Sequence, residues 1–184
     1  MVRSAFLSAL FVSLAAPAFA QSGPFLEQGG RVVVEIEATA PVGNWAVETE
    51  WTGFTGASYY RWNGSNQFNT PGIATLKYDL AIGNAGDYWL AIHNRHNHPD
   101  PSQENDVWVR VDGGTWFKVF SNQGPSTVAK WTWATEIEVG SQHLNPVWTL
   151  DRGIHRIEIS ARSKHFMIDR FHLYMPGTVN EKHI

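Results

Sequence analysis

Apolar and polar residues alternate with a period of two along much of this chain, and no segment carries the three-to-four spacing of a helix that buries one stripe. Leu76, Tyr78, Leu80 and Ile82 are separated by Lys77, Asp79 and Ala81, and Tyr88, Leu90 and Ile92 follow a turn over 83–86. Val107, Val109 and Val111 are separated by Trp108 and Arg110; Asp112, Gly113 and Gly114 then make a hairpin turn into a strand over 116–120. Because successive side chains of a strand point to opposite faces, each such segment offers one face to a common core. Further strands are expected over 32–37, 131–139, 155–161 and 166–174. The fold class that follows is all-β, a two-sheet antiparallel β-sandwich.

The start of the chain follows another rule. Arg3, an apolar run over 5–15 and the small residues Ala18 and Ala20 before Gln21 have the pattern of a secretory signal peptide, so a secreted or periplasmic location is expected. No later stretch approaches the roughly 20 apolar residues of a membrane-spanning helix, and no membrane insertion is expected. The expected organisation is a signal peptide at 1–20, a polar lead-in at 21–29, one sandwich domain at 30–175 and a polar tail at 176–184. The chain contains no cysteine, so disulfides cannot staple it, and its core or a metal ion must hold it.

Charge and aromatic content narrow the partners. With 14 Lys and Arg against 17 Asp and Glu, the chain lacks the clustered cations that nucleic acid requires. Its nine tryptophans exceed what a core readily uses, because each indole N–H needs a partner. If strands from Ile73 onward run antiparallel in succession, every second connection lies at the same end. The segments before Ile73 and those over 93–105, 121–130 and 161–165 then share one pole, and 83–86, 112–115 and 140–152 share the other. The first pole gathers Tyr59, Tyr60, Trp62, Asn66, His93, Asn94, Arg95, His96, His98, Asn105, Arg162, Lys164 and His165, and is the expected binding end.

At this point the chain resembles the galactose-binding-domain-like jelly rolls, above all carbohydrate-binding modules of families six and thirty-five. The likeness begins at Val32, Val33, Val34, Glu35, Ile36, Glu37 and Ala38, and runs through Gly86, Asp87, Tyr88, Trp89 and Leu90. It continues in Asn105, Asp106, Val107, Trp108 and Val109, then in Gly153, Ile154, His155, Arg156 and Ile157, and closes over 166–173. The resemblance implies a structural calcium ion between the first and last strands. The residues agree: Glu35 and Glu37 are two apart and would project from one strand face, Asp169 interrupts an apolar closing strand, and calcium takes oxygen ligands. The bland alternative is a solvated sheet face with Asp169 merely hydrogen-bonded.

A sugar has an apolar C–H face and a rim of hydroxyls, so its site needs aromatic platforms beside planar polar groups. Tyr60, Trp62 and Trp131 are the expected platforms, with Trp133 assigned to the core. The cluster from His93 to His98 is expected in a loop at the binding site, with Arg95 and His96 touching ligand and Asn105 or Asp106 fixing the loop or touching ligand directly. Its histidines lack a regular zinc or copper spacing. Arg162 and His165 add donors, and guanidinium groups favour an anionic polysaccharide.

The expected function is therefore non-catalytic polysaccharide binding, with a separate carbohydrate-active enzyme as a candidate partner. Two other readings stay open. A small lyase-like enzyme could use Tyr60, His93, Arg95, His96 and His165, although no nucleophile elbow, His-Glu-x-x-His motif or cysteine nucleophile is present. An adhesive protein-binding module is the other.

Overall fold

The computed structural model describes residues 23–122 and 124–178; the expected signal peptide and most of the tail lie outside them. Thirteen strands follow in order among the described residues: β1 (Phe25–Leu26), β2 (Arg31–Glu35), β3 (Trp45–Glu48), β4 (Tyr59–Trp62), β5 (Leu76–Ile82), β6 (Gly86–Arg95), β7 (Asp106–Val111), β8 (Phe117–Phe120), β9 (Glu136–Val139), β10 (Gln142–Leu144), β11 (Val147–Leu150), β12 (Gly153–Ser160) and β13 (Met167–Tyr174). Single 3-10 turns at Ile36–Ala38 and Pro125–Thr127 are the helical elements.

Two sheets stack face to face as a jelly-roll β-sandwich. The first has the order β1-β5-β12-β7-β8-β9-β10, and the second β11-β6-β13-β4-β3, with β2 also pairing with β13. The alternation read from sequence decides which side chains meet between them. Val32, Val34, Tyr78, Leu80, Leu90, Ile92, Val107, Val109, Ile157, Ile159, Phe171 and Leu173 form one continuous core. The residues between them, such as Lys77, Arg110 and His93, point to the outer faces.

Three expectations require correction. The segment from His93 to His98 is not simply a loop: β6 continues to Arg95, because Ile92 and Asn94 keep facing inward and Met167, Ile168 and Arg170 on β13 supply ladder partners. The expected strand over 131–139 shortens to β9. Ahead of it the chain follows the free edge of β6 irregularly, with Asn94 N–H donating to Thr132 O and Thr132 N–H to Asn94 O, both at 2.9 Å. Within the lead-in, β1 adds a parallel strand to β5, registering Phe25 with Leu80. The pairing of β13 with β6 also slips between Ile168 and Arg170, leaving Asp169 as the extra residue of a bulge.

Candidate functional site

The predicted pole exists. Trp62 N–H donates to Phe166 O at 3.0 Å, His165 N–H to Trp62 O at 2.7 Å, and Gln67 N–H to Arg162 O at 2.7 Å. Met167 registers with Arg61 on one side and Arg95 on the other. Loops distant in sequence therefore meet at this end of the sandwich, carrying Trp62, Arg95 and Arg162.

Side-chain directions separate these residues into different roles. Tyr60 is fully buried, donates its hydroxyl to Thr39 O at 2.6 Å, and has its phenol pushed up to about 12 by burial and by the Glu37 charge. Trp62 is 3% exposed, packs on Trp45 with ring centroids 5.5 Å apart, and donates Nε1–H to Ser65 O. Both belong to the inward-facing set of β4, so the expectation that they form sugar platforms is corrected: a ring enclosed on both faces cannot stack on a pyranose.

Trp131 is half-buried and lies on the outer face of the second sheet. Its Nε1–H donates to Thr52 O at 3.1 Å, and its ring meets the edge of Tyr59 at 5.1 Å. Gly53 has φ +101, and a Cβ there would stand 3.0 Å from Trp131 Cδ1, so the close approach of indole and loop needs glycine. The same loop supplies Trp51, over which the Arg95 guanidinium sits at 4.4 Å. Arg95 Nε–H also donates to Asn97 Oδ1 at 3.0 Å. Trp51, Phe54, Thr55 and Arg61 were not singled out from the sequence, although the run Trp51, Thr52, Gly53, Phe54, Thr55, Gly56 alternates rings with residues that allow tight turns.

Below this rim lies a carboxylate cluster. Asp169 is fully buried; its Oδ1 accepts from Thr55 N–H at 3.0 Å, and its Oδ2 lies 2.6 Å from His93 Nδ1. The single Thr55 hydroxyl faces two acceptors, Glu35 Oε2 at 2.9 Å and Asp169 Oδ2 at 3.0 Å, while Arg170 Nε–H donates to it at 2.6 Å. Glu37 Oε1 accepts from Ala57 N–H at 2.7 Å, and its Oε2 is buried with no hydrogen-bond partner. Burial pushes the Glu35 carboxyl up, Thr55 and Arg170 oppose this, and the charges of Asp169 and Glu37 add to it. Three carboxylates thus share few donors around an all-oxygen set, the chemistry a hard cation takes. The side chains are drawn in on Thr55 and Arg170, and no three His, Cys, Asp or Glu among the described residues converge in metal-holding geometry.

The remaining expected residues are buried or engaged by neighbouring side chains. His96 is buried, its Nε2 lies 3.2 Å from Thr127 Oγ1, and burial lowers its pKa. Asn105 is buried and donates to Ser121 O at 3.1 Å. Arg162 pairs with Asp106 and lies between the rings of Phe68 and Trp108, at 5.0 and 4.9 Å. His165 Nδ1 lies 2.8 Å from Glu104 Oε1. His93 lies between Trp131 and Trp133, so its ring faces are covered.

A second feature lies on the outer face of the first sheet. Trp116, Val42 and Ala74 wall a hollow of about 750 Å³ whose floor is Lys77, Glu158 and Arg110. Arg110 Nε–H donates to Glu158 Oε2 at 2.6 Å and its guanidinium covers Trp116 at 4.4 Å.

No family model matches the chain, and comparison with curated proteins gives no match. Solved structures do align with it. A family 35 carbohydrate-binding module from Clostridium thermocellum matches 78% of this chain and 96% of its own at 16% identity, TM-score 0.51. A CBM35 from Cellvibrio japonicus matches 79% of this chain and 93% of its own at 17% identity, TM-score 0.51. The fold is that of a family 35 carbohydrate-binding module. The GH26-CBM35 β-(1,4)-mannanase of Podospora anserina aligns over 80% of this chain at 18% identity, TM-score 0.54, and the chain spans 28% of that enzyme's length. The rim brings Trp51 and Trp131, from connecting segments, against Arg95 at the end of β6, whereas the Trp116 hollow lies against strands of the first sheet.

Proposed function

We propose that this chain is an exported, non-catalytic carbohydrate-binding protein that holds an anionic polysaccharide at the loop rim, with calcium in the carboxylate cluster beneath. The observation that carries the saccharide reading is the Arg95 guanidinium over Trp51, on the same loop that receives Trp131. Aromatic rings offer faces to sugar C–H groups, and the Arg95 guanidinium, whose Nε–H goes to Asn97, is a forked donor of the kind suited to a uronate or sulfate. The fold shared with family 35 modules supports the same class of ligand. Export rests on the pattern of residues 1–20. The cation reading is supported by the unpartnered Glu37 Oε2 and by the density of like charge around Thr55.

Gel retardation tests the rim. The mature protein is expected to be retarded by glucuronoxylan more than by neutral xylan, and the Trp131→Ala variant much less by either. Equal migration of wild type and variant in all gels would remove the rim as the site.

The Trp116 hollow favours a second place of sugar contact, since one aromatic wall stands above an ion-paired floor that can both donate and accept. A catalytic reading gains less. Tyr60, the candidate proton-transfer phenol, is enclosed and already donates to Thr39 O, and His165 is engaged by Glu104.

A further inference from the structure

The two most exposed large apolar side chains among the described residues stand in one row. Leu26 is 62% exposed and Ile154 63%. Leu26 registers with Ala81, and Ala81 with Ile154, so the three lie side by side across β1, β5 and β12. Leu80, Ile82 and Ile157 face the core, which turns Ala81 and Ile154 to the outer face of the first sheet; Phe25, packed on Tyr78, turns Leu26 the same way. Aliphatic side chains lack the flat face on which a sugar stacks, so the row suits an apolar protein surface instead.

One outward position along the strands, the row is charged. Arg156 donates Nε–H to Asp79 Oδ1 at 2.7 Å and Nη2–H to Asp79 Oδ2 at 2.9 Å, and both side chains are about half exposed. One position further, Lys77 and Glu158 begin the floor of the Trp116 hollow. Beyond β12, Ile154, Arg156, Asp112 and Gly113 help to wall a recess of about 430 Å³. The face therefore carries a knob, Leu26, at one edge and a recess at the other, with an anion and a cation between them.

We infer that this face is a contact between two copies of the chain, made by Leu26, Ala81, Ile154, Asp79 and Arg156. A two-fold axis running along the strands between β5 and β12 reverses the strand order of the second copy. Asp79 then faces Arg156 of the second copy, Arg156 faces Asp79 of the second copy, Ile154 meets Ala81, and each Leu26 enters the recess beside Ile154. Strands of seven and eight residues give a face about 25 Å long, and β1, β5, β12 and β7 make it about 15 Å wide. That is less than the roughly 800 Å² per partner of a stable interface, so the dimer is weak and concentration-dependent. The rim around Trp51, Arg95 and Trp131 belongs to the second sheet, whose outer face points the other way. Pairing leaves one rim free on each copy, and two linked rims hold a polymer more firmly than either alone.

Sedimentation velocity of the mature protein, from about 1 μM to about 1 mM, reads the association directly. The expected mass is that of one chain at the low end and approaches that of two at the high end. Ile154→Asp and Leu26→Asp, at exposed positions that leave the core intact, are expected to weaken association about tenfold or more without lowering the melting temperature. Asp79→Arg and Arg156→Glu should each stay monomeric, because like charges then face each other across the axis. Mixing these two variants should restore a dimer, since every such charge then meets its opposite. A chain that is monomeric at the highest concentration, an Ile154→Asp protein that associates like wild type, or a mixture no larger than its parts would overturn the pairing. A monomer whose Ile154→Asp variant loses polysaccharide retardation would assign the row to saccharide and overturn it equally.

Discussion

Trp62 lies against Trp45 with ring centroids 5.5 Å apart at 58°, both rings buried between the sheets. This pair marks the boundary between aromatic residues that hold the fold and those available to a ligand. Trp62→Ala is expected to cost about 3–5 kcal/mol of stability, the range for emptying an aromatic core position. Trp131→Ala, at a half-buried ring, should cost clearly less while losing polysaccharide retardation. Urea melts alongside affinity gels separate the two; a Trp62→Ala protein that is as stable as wild type would contradict the packing assignment.

Gly56 sits at φ +62 against the carboxylate cluster, and a Cβ there would collide with the Glu37 carboxylate. Gly56→Ala is expected to destabilise by more than about 1 kcal/mol, because alanine is strained at positive φ and displaces Glu37. Calcium should raise the melting temperature of the wild type, with a gain approaching about 2.7 kcal/mol when calcium is at a hundred times its Kd. Gly56→Ala and Glu37→Gln should blunt that rise. Melting curves that coincide with and without calcium would eliminate the cation.

His172 is buried beneath Trp133, with ring centroids 4.5 Å apart, and neither of its nitrogens finds a hydrogen-bond partner. Burial first, then the charges of Arg170, Arg31 and His93, push its pKa down to about 3 from 6.5. A depressed histidine pKa means that the unfolded chain binds the proton more readily, so stability falls as pH drops from 6.5 toward 3. His172→Leu is expected to flatten that acid limb by an amount on the order of a few kcal/mol. Thermal melts across the same pH range provide the check, and an unchanged acid limb in the variant would assign the loss to other groups.

His155 responds in the opposite direction. Burial lowers its pKa, but the bond to Asp112 at 2.6 Å, the Asp151 carbonyl and the nearby charges outweigh burial and raise it above 6.5. Its contribution is fully present below the unfolded value and is lost as pH rises through the raised folded value. His155→Gln should therefore lower the melting temperature most on the acidic side of 6.5 and least in alkaline buffer. A deficit independent of pH would mean that the pair acts only through packing.

The Trp116 hollow can be separated from the rim by substitution. If it holds sugar, Trp116→Ala weakens retardation without altering the calcium response, whereas Trp131→Ala leaves any contact at Trp116 intact. A double variant no weaker than Trp131→Ala alone would reduce Trp116 to a lid over the ion pair between Arg110 and Glu158.

Particular residues show how far the linear pattern could be read. Leu76 to Ile82 and Val107 to Val111 became strands with the expected inward faces, since a period of two leaves one side of a strand apolar wherever the strand lies. The convergence of the loops followed from strand parity, because an antiparallel strand returns the chain to the end it left. Tyr60 and Trp62 were read as platforms because each flanks a connection at the expected pole, yet inward-facing alternation places both rings in the core. Trp51 gave little signal: its value depends on Arg95, 44 residues away in the chain, reaching over it.

The amino-acid sequence alone determined that this chain forms a cysteine-free, all-β sandwich with Glu35 and Asp169 on its first and last main strands; Glu37, expected on the same strand face as Glu35, lies instead in the 3-10 turn after it. Those features depend on local periodicity and on residue type. Only the tertiary structure decided which tryptophans remain open, that one hydroxyl lies between Glu35 and Asp169, and that His93 is stacked between two indoles on a buried carboxylate. Such relations arise from a bulge and from two loops folded over a sheet, whose register depends on packing partners distant along the chain.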